Sequence, residues 1–145
     1  MLAGALVGAL MLACDDPCAT AENEAVLSAA AAEEGAIRTA SGLVFLELKH
    51  GNGPKPHADN RVQVHYEGRF VDGRVFDSSI ERGRPSSFPL SKVIPGWTEG
   101  LQMLQGGGRA RLTIPPGLAY GAEDTAKIPA CSVLIFDIEL LGIYD

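Results

Sequence analysis

A hairpin that ends in an aromatic–acid pair constrains the fold of this chain more than any other feature. Residues 61–66 alternate between polar and apolar types, which is the period of a half-buried strand. A Val-Asp-Gly turn at 71–73 reverses the chain. The second strand then ends in Phe76 and Asp77. The side chains predicted to face the core from the first strand are Val62, Val64 and Tyr66, whereas His65 is predicted to face away from them.

Period-2 alternation predicts three further strands, near residues 44–49, 109–114 and 134–140. Two acidic residues, Asp137 and Glu139, take the outer face of the last one. The predicted inward residues of the three strands are Val44, Leu46 and Leu48; Ala110, Leu112 and Ile114; and Leu134, Phe136, Ile138 and Leu140.

One segment of the same region has helical spacing. Trp97, Leu101 and Leu104 follow at i, i+4 and i+7, and three glycines at 106–108 end the pattern. Many antiparallel strands with one short helix predict an α+β domain.

Composition excludes some function classes. The chain has 145 residues and a net charge of −6, whereas nucleic-acid binding proteins usually carry a basic stripe, so we expect no nucleic-acid partner. His50, His57 and His65 have no cysteine or further histidine at ligand intervals. We therefore predict neither a metal nor a cofactor.

The first 13 residues are apolar and uncharged, too few for a membrane-spanning helix but suited to the hydrophobic region of a secretory signal. Residues 10–14, Leu-Met-Leu-Ala-Cys, resemble a bacterial lipobox, which predicts lipidation of Cys14 and a membrane lipoprotein. The alternatives are an ordinary signal peptide or a plain apolar start.

Residues 14–38 are rich in Ala and Glu, and 22–34 could form a helix. Because the apolar face of that helix is almost all alanine, we interpret the segment as a tether that little holds to a core. An exported chain could pair Cys18 with Cys131. The spacing does not require the pair, and we expect a free Cys131.

Four motifs occur in one order: the hairpin with Phe76 and Asp77, Val-Ile-Pro-Gly-Trp at 93–97, Ala-Tyr-Gly at 119–121, and Leu-Ile-Phe-Asp at 134–137. Together they resemble FKBP-type peptidyl-prolyl cis-trans isomerases, in particular the bacterial Mip-like branch. The resemblance covers residues 31–141 or so. It implies an isomerase domain at 39–145, with a twisted antiparallel β-sheet wrapped around one short α-helix. Mip-like relatives dimerise through a long helix, of which only the last part could be present here, so we expect a monomer.

The same resemblance implies a set of site residues. Trp97 would form the floor, Tyr66, Phe76 and Phe136 the walls, and Asp77 would orient Tyr66. Val93 and Ile94 would line one side, with the Ile94 N–H and the Tyr120 hydroxyl as donors, and Ile128 would close the rim. Taken singly, each aromatic residue on a strand would be core more often than site. Ser86 stands where the family often has an aromatic residue, which would leave one wall more open.

The implied function is prolyl isomerisation of exported, unfolded polypeptides, blocked by macrolide-type inhibitors. A binding or chaperone module with little turnover is the alternative. A third hypothesis is a periplasmic interaction protein or a surface virulence-type factor. Some relatives have a chaperone insertion after the Ala-Tyr-Gly motif, but the loop at 122–131 leaves no room for one.

Overall fold

The computed structural model describes residues 16–145. The predicted signal segment at 1–13 and the lipidation of Cys14 lie outside the described residues. Within 16–145, no helix combines the length and the apolar character needed to cross a membrane.

A single antiparallel sheet organises the described chain, in the order β1-β2-β6-β7-β3-β4, with β5 also paired to β3. The predicted α+β architecture is confirmed. The strands are β1 Ile37–Arg38, β2 Val44–Lys49, β3 Arg61–Arg69, β4 Val75–Ser78, β5 Ser86–Pro89, β6 Arg109–Ile114 and β7 Leu134–Tyr144.

The outer edge of β3 is shared by two short strands. β5 pairs with its first half, where Val64 lies opposite Ser86, and β4 pairs with its last residues, where Gly68 lies opposite Asp77. The intervening segment, 79–85, leaves the sheet. This arrangement brings the end of β4 and the segment after it to the side of the sheet on which Tyr66 projects.

The main helix is short and lies close to β6. A first helix, α1 (Ala21–Ala31), precedes the sheet, and α2 (Pro95–Leu101) begins at a proline, which suits a first helical turn. A Cβ on Gly96 would lie 2.6 Å from Ile114, and one on Gly100 would lie 2.7 Å from Leu112. Only glycine at these two positions allows the helix to pack so near the strand. Two 3-10 turns, Leu90–Lys92 and Pro116–Leu118, flank α2 and β6.

The main core fills the space between the sheet and α2, and it contains the inward residues predicted for β3, β6 and β7. The facing predicted for β2 is wrong. Leu43 and Phe45 enter the main core, whereas Val44 is buried on the opposite face and Leu48 is exposed. Both faces of β2 are covered at its start, so alternation could not identify the core side. Thr113, which lies between the inward residues Leu112 and Ile114 of β6, is likewise buried, beside Val44.

From the sequence alone, we interpret residues 14–38 as a tether that little holds to a core. That part of the interpretation is wrong, because α1 packs on the outer face of the sheet. Leu27 is buried against Val44 and Val133, with alanines around them. Thr20 caps the helix by accepting a hydrogen bond from the Asn23 N–H at 3.1 Å. The boundary near residue 39 stays a prediction.

Cys18 and Cys131 form a disulfide, so the expectation of a free Cys131 is wrong. The two residues are 113 positions apart, and only the docking of α1 brings them together. A disulfide typically stabilises a fold by about 2–4 kcal/mol. A second link joins α1 to β1, where Arg38 donates two hydrogen bonds to the Glu24 carboxylate, at 2.8 and 2.9 Å.

Charged side chains cover the outer face of the sheet beyond α1. The Asp137 carboxylate on β7 accepts hydrogen bonds from Arg111 at 2.7 and 3.1 Å and from Arg69 at 3.3 Å. Partial burial would raise the pKa of Asp137, but the two guanidinium groups outweigh it and hold that pKa below the ordinary value.

Candidate active site

A cleft of ≈ 370 Å³ opens between α2, the inner face of the sheet and the turn that contains Tyr120. Its wall is largely aromatic, and more of its lining is apolar than polar. The lining residues are Tyr66, Phe76, Asp77, Phe88, Lys92, Val93, Ile94, Trp97, Tyr120 and Phe136.

The aromatic rings of the cleft meet edge to face around Trp97. The Trp97 ring centroid lies 5.1 Å from that of Tyr66, 5.3 Å from that of Phe136 and 5.6 Å from that of Phe88, with interplanar angles of 82–89°. Phe76 meets Phe136 in the same manner, at 5.6 Å. Such contacts are favoured because the positive edge of one ring meets the negative face of the next. They make the walls rigid without closing the cleft.

Gly68 on β3 makes room for two of the walls. A Cβ at this position would lie 2.6 Å from the Phe136 ring and 2.7 Å from the Phe76 ring. Any larger residue would therefore displace one of the rings. A glycine inside a strand often marks a place where another group approaches the backbone closely, and this signal was available in the sequence.

A hydrogen-bond network orients Tyr66. Its hydroxyl donates to Asp77 at 2.6 Å and accepts from Arg82 at 3.1 Å, and Arg82 also donates to Asp77. The Arg82 guanidinium lies 5.7 Å from the centroid of the Tyr66 ring. Ser79, after Asp77, is fully buried, and its hydroxyl accepts from the Tyr66 N–H at 2.8 Å. The end of β4 is thus tied to β3 beside the cleft.

These contacts set the charge of the network. Burial raises the pKa of Tyr66, and the bond to Asp77 raises it further against the opposing effect of Arg82. Partial burial would raise the pKa of Asp77, but the hydrogen bonds from Tyr66 and Arg82 leave it below the ordinary value. At neutral pH the tyrosine is therefore a neutral donor and Asp77 is an anion already paired with two donors. Neither group is poised to transfer a proton.

Two donors at the cleft are available to a ligand. No described residue accepts a hydrogen bond from the Ile94 N–H or from the Tyr120 hydroxyl, although the Ile94 carbonyl accepts from Trp97 at the start of α2. Tyr120 is 44% exposed at the rim. A peptide carbonyl that entered the cleft could accept from either donor.

Trp97 has an unusual environment for a buried indole. Among residues 16–145, its Nε1 is the only buried side-chain nitrogen or oxygen without a hydrogen-bond partner. Leaving a buried donor unpaired costs about 1–3 kcal/mol. The unpaired indole N–H therefore lowers the stability of the fold at the floor of the cleft.

The structure brings most of the predicted site residues together. Tyr66, Phe76, Asp77, Val93, Ile94, Trp97, Tyr120 and Phe136 all line the cleft. Ile128 does not line it, because its side chain is buried in the main core. His65 lies on the other face, with Nδ1 2.9 Å from the Ser79 hydroxyl.

Three residues at the cleft were missed by reasoning from the sequence. Phe88 and Lys92 line it, and Arg82 supports Tyr66 and Asp77 from outside. Phe88 lies two positions after Ser86 and on the same face of β5, so alternation from Ser86 could have identified it. The role of Arg82 had no local signal, because the loop at 79–85 alone places it.

A second concavity, ≈ 490 Å³, lies between α1 and the turn at 115–118. It is larger than the aromatic cleft, but none of the described residues that line it is aromatic. Because this lining lacks aromatic walls, we assign the functional site to the cleft.

Comparison with known proteins identifies the family. Residues 53–141 match the model of the FKBP-type peptidyl-prolyl cis-trans isomerases. The chain belongs to the FKBP-type peptidyl-prolyl cis-trans isomerase family. The resemblance inferred from the four motifs is thereby confirmed, while assignment to the Mip-like branch stays a prediction.

This FKBP-family chain is similar to curated bacterial isomerases. It is 48% identical over 122 residues to FkpA, an FKBP-type isomerase of Aeromonas hydrophila. That alignment covers 84% of this chain and 46% of the relative. It is 47% identical over 124 residues to the 22 kDa FKBP-type isomerase of Escherichia coli, covering 85% of this chain and 60% of the relative. The chain thus spans about half the length of the curated relatives it matches.

Solved structures have the same fold. The crystal structure of FkpA from Escherichia coli has a TM-score of 0.83 at 39% identity, covering 98% of this chain and 65% of that one. An isomerase from Pseudomonas syringae has a TM-score of 0.80 at 39% identity, covering 86% of this chain and 92% of that one. The FKBP-like sheet around a short helix is therefore confirmed.

Proposed function

We propose that this chain catalyses cis–trans isomerisation of prolyl peptide bonds in polypeptide substrates. The observation that supports it is the cleft itself, with an aromatic floor and walls and two unpaired donors, the Ile94 N–H and the Tyr120 hydroxyl. Family membership supports the same reaction. Tyr66, Phe76, Asp77, Trp97, Tyr120 and Phe136 are the proposed catalytic residues.

The reaction needs no nucleophile. Rotation about the prolyl bond has a barrier of about 18–20 kcal/mol because twisting destroys amide resonance. Water stabilises the planar amide, which is more dipolar than the twisted one. We propose that the aromatic rings exclude this water around the proline, so that twisting costs less. The Ile94 N–H and the Tyr120 hydroxyl would meanwhile hold the flanking carbonyls of the substrate.

The direct test is a protease-coupled assay on a panel of Xaa-Pro peptides with the full chain. We expect acceleration, strongest with a bulky apolar residue before proline, because most of the residues that line the cleft are aromatic or aliphatic. A macrolide ligand of the FKBP class should abolish it. A folded protein that leaves the uncatalysed rate unchanged would refute the isomerase assignment. If such a protein still binds the peptides, the binding-module alternative replaces it.

Gly68 offers a variant that alters the walls directly. Gly68→Ala should lower kcat/KM on the order of tenfold or more, because the new methyl displaces Phe76 or Phe136 and small misplacements at a site are costly. Gly117→Ala is the matched control, since a Cβ there meets no atom within 4 Å. Equal loss in both variants at equal folded fraction would contradict the placement of the site.

Trp97 provides an internal reporter, as the chain has one tryptophan. A proline-like ligand in the cleft should shift or quench its emission, saturating at the midpoint for inhibition. Emission that stays flat through an inhibitory titration would show that Trp97 is not the floor of the binding site.

We further propose that the chain is exported and that Cys14 is lipidated, anchoring it to a bacterial membrane with its substrates among exported polypeptides. The lipobox-like pattern at 10–14 supports lipidation, and the Cys18–Cys131 disulfide supports an oxidising compartment. Stable anchoring takes more than one acyl chain, as bacterial lipoproteins have. Cys14→Ser should release the protein in soluble form. An unlipidated Cys14 in the native membrane fraction would exclude the anchor.

We also propose a monomer, since α1 is short and already packs on its own sheet. Sedimentation that gives twice the chain mass across a dilution series would contradict this.

A further inference from the structure

The N-terminal segment reaches the loop at 121–131 through two links that lie side by side. One is the disulfide between Cys18 and Cys131. The other is the Asn23 side-chain amide, which donates to the Cys18 carbonyl at 3.0 Å and to the Cys131 carbonyl at 3.1 Å. Asn23 is partly buried on α1, so both links depend on the docking of that helix.

The loop at 121–131 is closed at its base. The Cys131 N–H donates to the Gly121 carbonyl at 2.9 Å, so what holds Cys131 also holds the start of the loop. Cys131 has a φ of 59°, the only positive φ of a non-glycine residue among the described ones. Side chains rarely adopt this conformation, and it persists where the surroundings impose it. The disulfide and the Asn23 amide both hold Cys131 from the side of the N-terminal segment.

Tyr120 immediately precedes Gly121 and lines the cleft. Its hydroxyl has no partner among the described residues, and the side chain is 44% exposed. The position of Tyr120 therefore depends on the backbone around it. On its C-terminal side, the Gly121 N–H donates to the Pro116 carbonyl at 2.9 Å, and the Gly121 carbonyl accepts from the Cys131 N–H. The chain of contacts runs from α1 through Cys131 and Gly121 to the rim of the cleft.

We propose that Cys18, Asn23 and Cys131 form a clamp that positions Tyr120 at the cleft, and that a dithiol reductant opens it. The inference rests on the proposed isomerase function for its effect on turnover. All three residues lie outside the four motifs that identify the family, and two of them precede the matched residues 53–141.

The opening step is thiol–disulfide exchange. A thiolate of the dithiol attacks the Cys131 sulfur, since Cys131 is the more exposed partner, and Cys18 leaves as a thiolate and takes up a proton. The second thiol of the reductant then attacks the reductant sulfur that is bonded to Cys131, and Cys131 leaves as a thiolate that takes up a proton. Two electrons pass to the protein, which gains two thiols, and the reductant becomes a disulfide.

Opening should leave the fold intact. Leu27, Val44 and Val133 still bury α1, and the pair of Glu24 and Arg38 remains at its other side. Reduction therefore removes the covalent link and loosens the loop at 121–131, while the helix stays docked and Asn23 can still donate to the Cys131 carbonyl.

The test compares the oxidised full chain, the chain in excess dithiothreitol, and Cys18→Ser/Cys131→Ser, all in a Cys14→Ser background that leaves no third thiol. We expect faster amide exchange at 119–131 and a fall in kcat/KM on the order of tenfold in the reduced chain and the double variant. The double variant should not respond to dithiothreitol. Asn23→Leu should give a smaller fall, and Glu24→Gln, on the same helix, none.

A Tyr120→Phe background separates positioning from general loosening. If the clamp acts through the Tyr120 hydroxyl, the oxidised and reduced Tyr120→Phe chains should have equal kcat/KM, because the group being positioned is gone. A redox effect that persists in this background, or unchanged exchange at 119–131 on reduction, overturns the inference. Oxidised protein that is folded but inactive overturns the proposed function instead, and exchange alone then decides whether the clamp exists.

Discussion

The sheet buries side chains on both faces, and the two buried clusters differ in kind. The inner cluster joins α2 to the sheet through large aliphatic side chains and the aromatic group around Trp97. The outer cluster, under α1, has three buried members, Leu27, Val44 and Val133, with Val26 and three alanines packed against them. The inner one leaves an open cleft and an unpaired indole donor in its floor. The outer one is supplemented by a disulfide and an ion pair.

The two clusters differ in how much stability they provide by burial alone. Hydrophobic stabilisation grows with the apolar area buried, at about 25 cal/mol per Å². A large core can therefore tolerate an open, imperfectly satisfied site at its edge. A helix with an alanine face buries little, so side-chain contacts at its ends and a covalent link hold it in register.

The largest effect should come from removing the centre of the inner cluster. Trp97→Ala should lower the free energy of unfolding by about 3–5 kcal/mol, since lost burial and a new cavity add together. Trp97→Leu should keep the fold and lose activity only in part, because a large apolar residue still fills much of the volume. Urea denaturation followed by circular dichroism measures both. Equal stability of the two variants would show that cavity formation does not dominate here.

The outer cluster should respond less. Leu27→Ala should cost about 2–3 kcal/mol, because few large neighbours surround the side chain. Leu27→Met is the matched control and should cost less than about 1.5 kcal/mol. Both are measured in urea with the disulfide intact. If Leu27→Ala proved as costly as Trp97→Ala, the contrast between the clusters would be lost.

Next in size is the charged group on the outer face. Asp137→Asn should cost about 1–2 kcal/mol, because Arg111 and Arg69 lose their anionic partner at a partly exposed site. The folded pKa of Asp137 lies below its ordinary value of 3.8, so its contribution is complete above that pH and is lost as the pH falls through the folded pKa.

Stability measured from pH 7 down to pH 2 should therefore decline less steeply in Asp137→Asn than in the native chain. Glu139→Gln, on the same strand face, serves as the control, since Glu139 forms no ion pair with a described residue. Parallel curves for the native chain and Asp137→Asn would contradict the assigned role of the carboxylate.

The smallest effect should come from the exposed pair between α1 and β1. Hydrogen bonds from Arg38 and Ser28 lower the pKa of Glu24 from 4.5 to about 2. Any stability from the pair is thus complete above pH 4.5 and lost as the pH falls through about 2. Solvent screens such a pair, so Glu24→Gln should leave the urea midpoint at pH 7 nearly unchanged. A large shift would mean that this pair, and not Leu27, holds α1.

Much of the inner cluster could be predicted from the sequence. β3, β6 and β7 bury one face inside the protein, so alternation identified Tyr66, Leu112 and Phe136 as inward residues. The order of the motifs, beyond any single residue, then indicated the cleft. Eight of the nine predicted cleft residues line it, and the exception is Ile128, because the loop at 121–131 folds its side chain into the core.

What the sequence by itself determined was the family, the strand faces of the inner cluster and the main helix, because each depends on local periodicity or on motifs contiguous in the chain. Tertiary structure alone decided which face of β2 meets the core, that Cys18 meets Cys131, and that Arg82 supports Tyr66. Each of these needs segments far apart in sequence to be brought together. The apolar pattern of one segment shows which of its residues are buried. Which other segment packs against those residues is decided only in the folded structure.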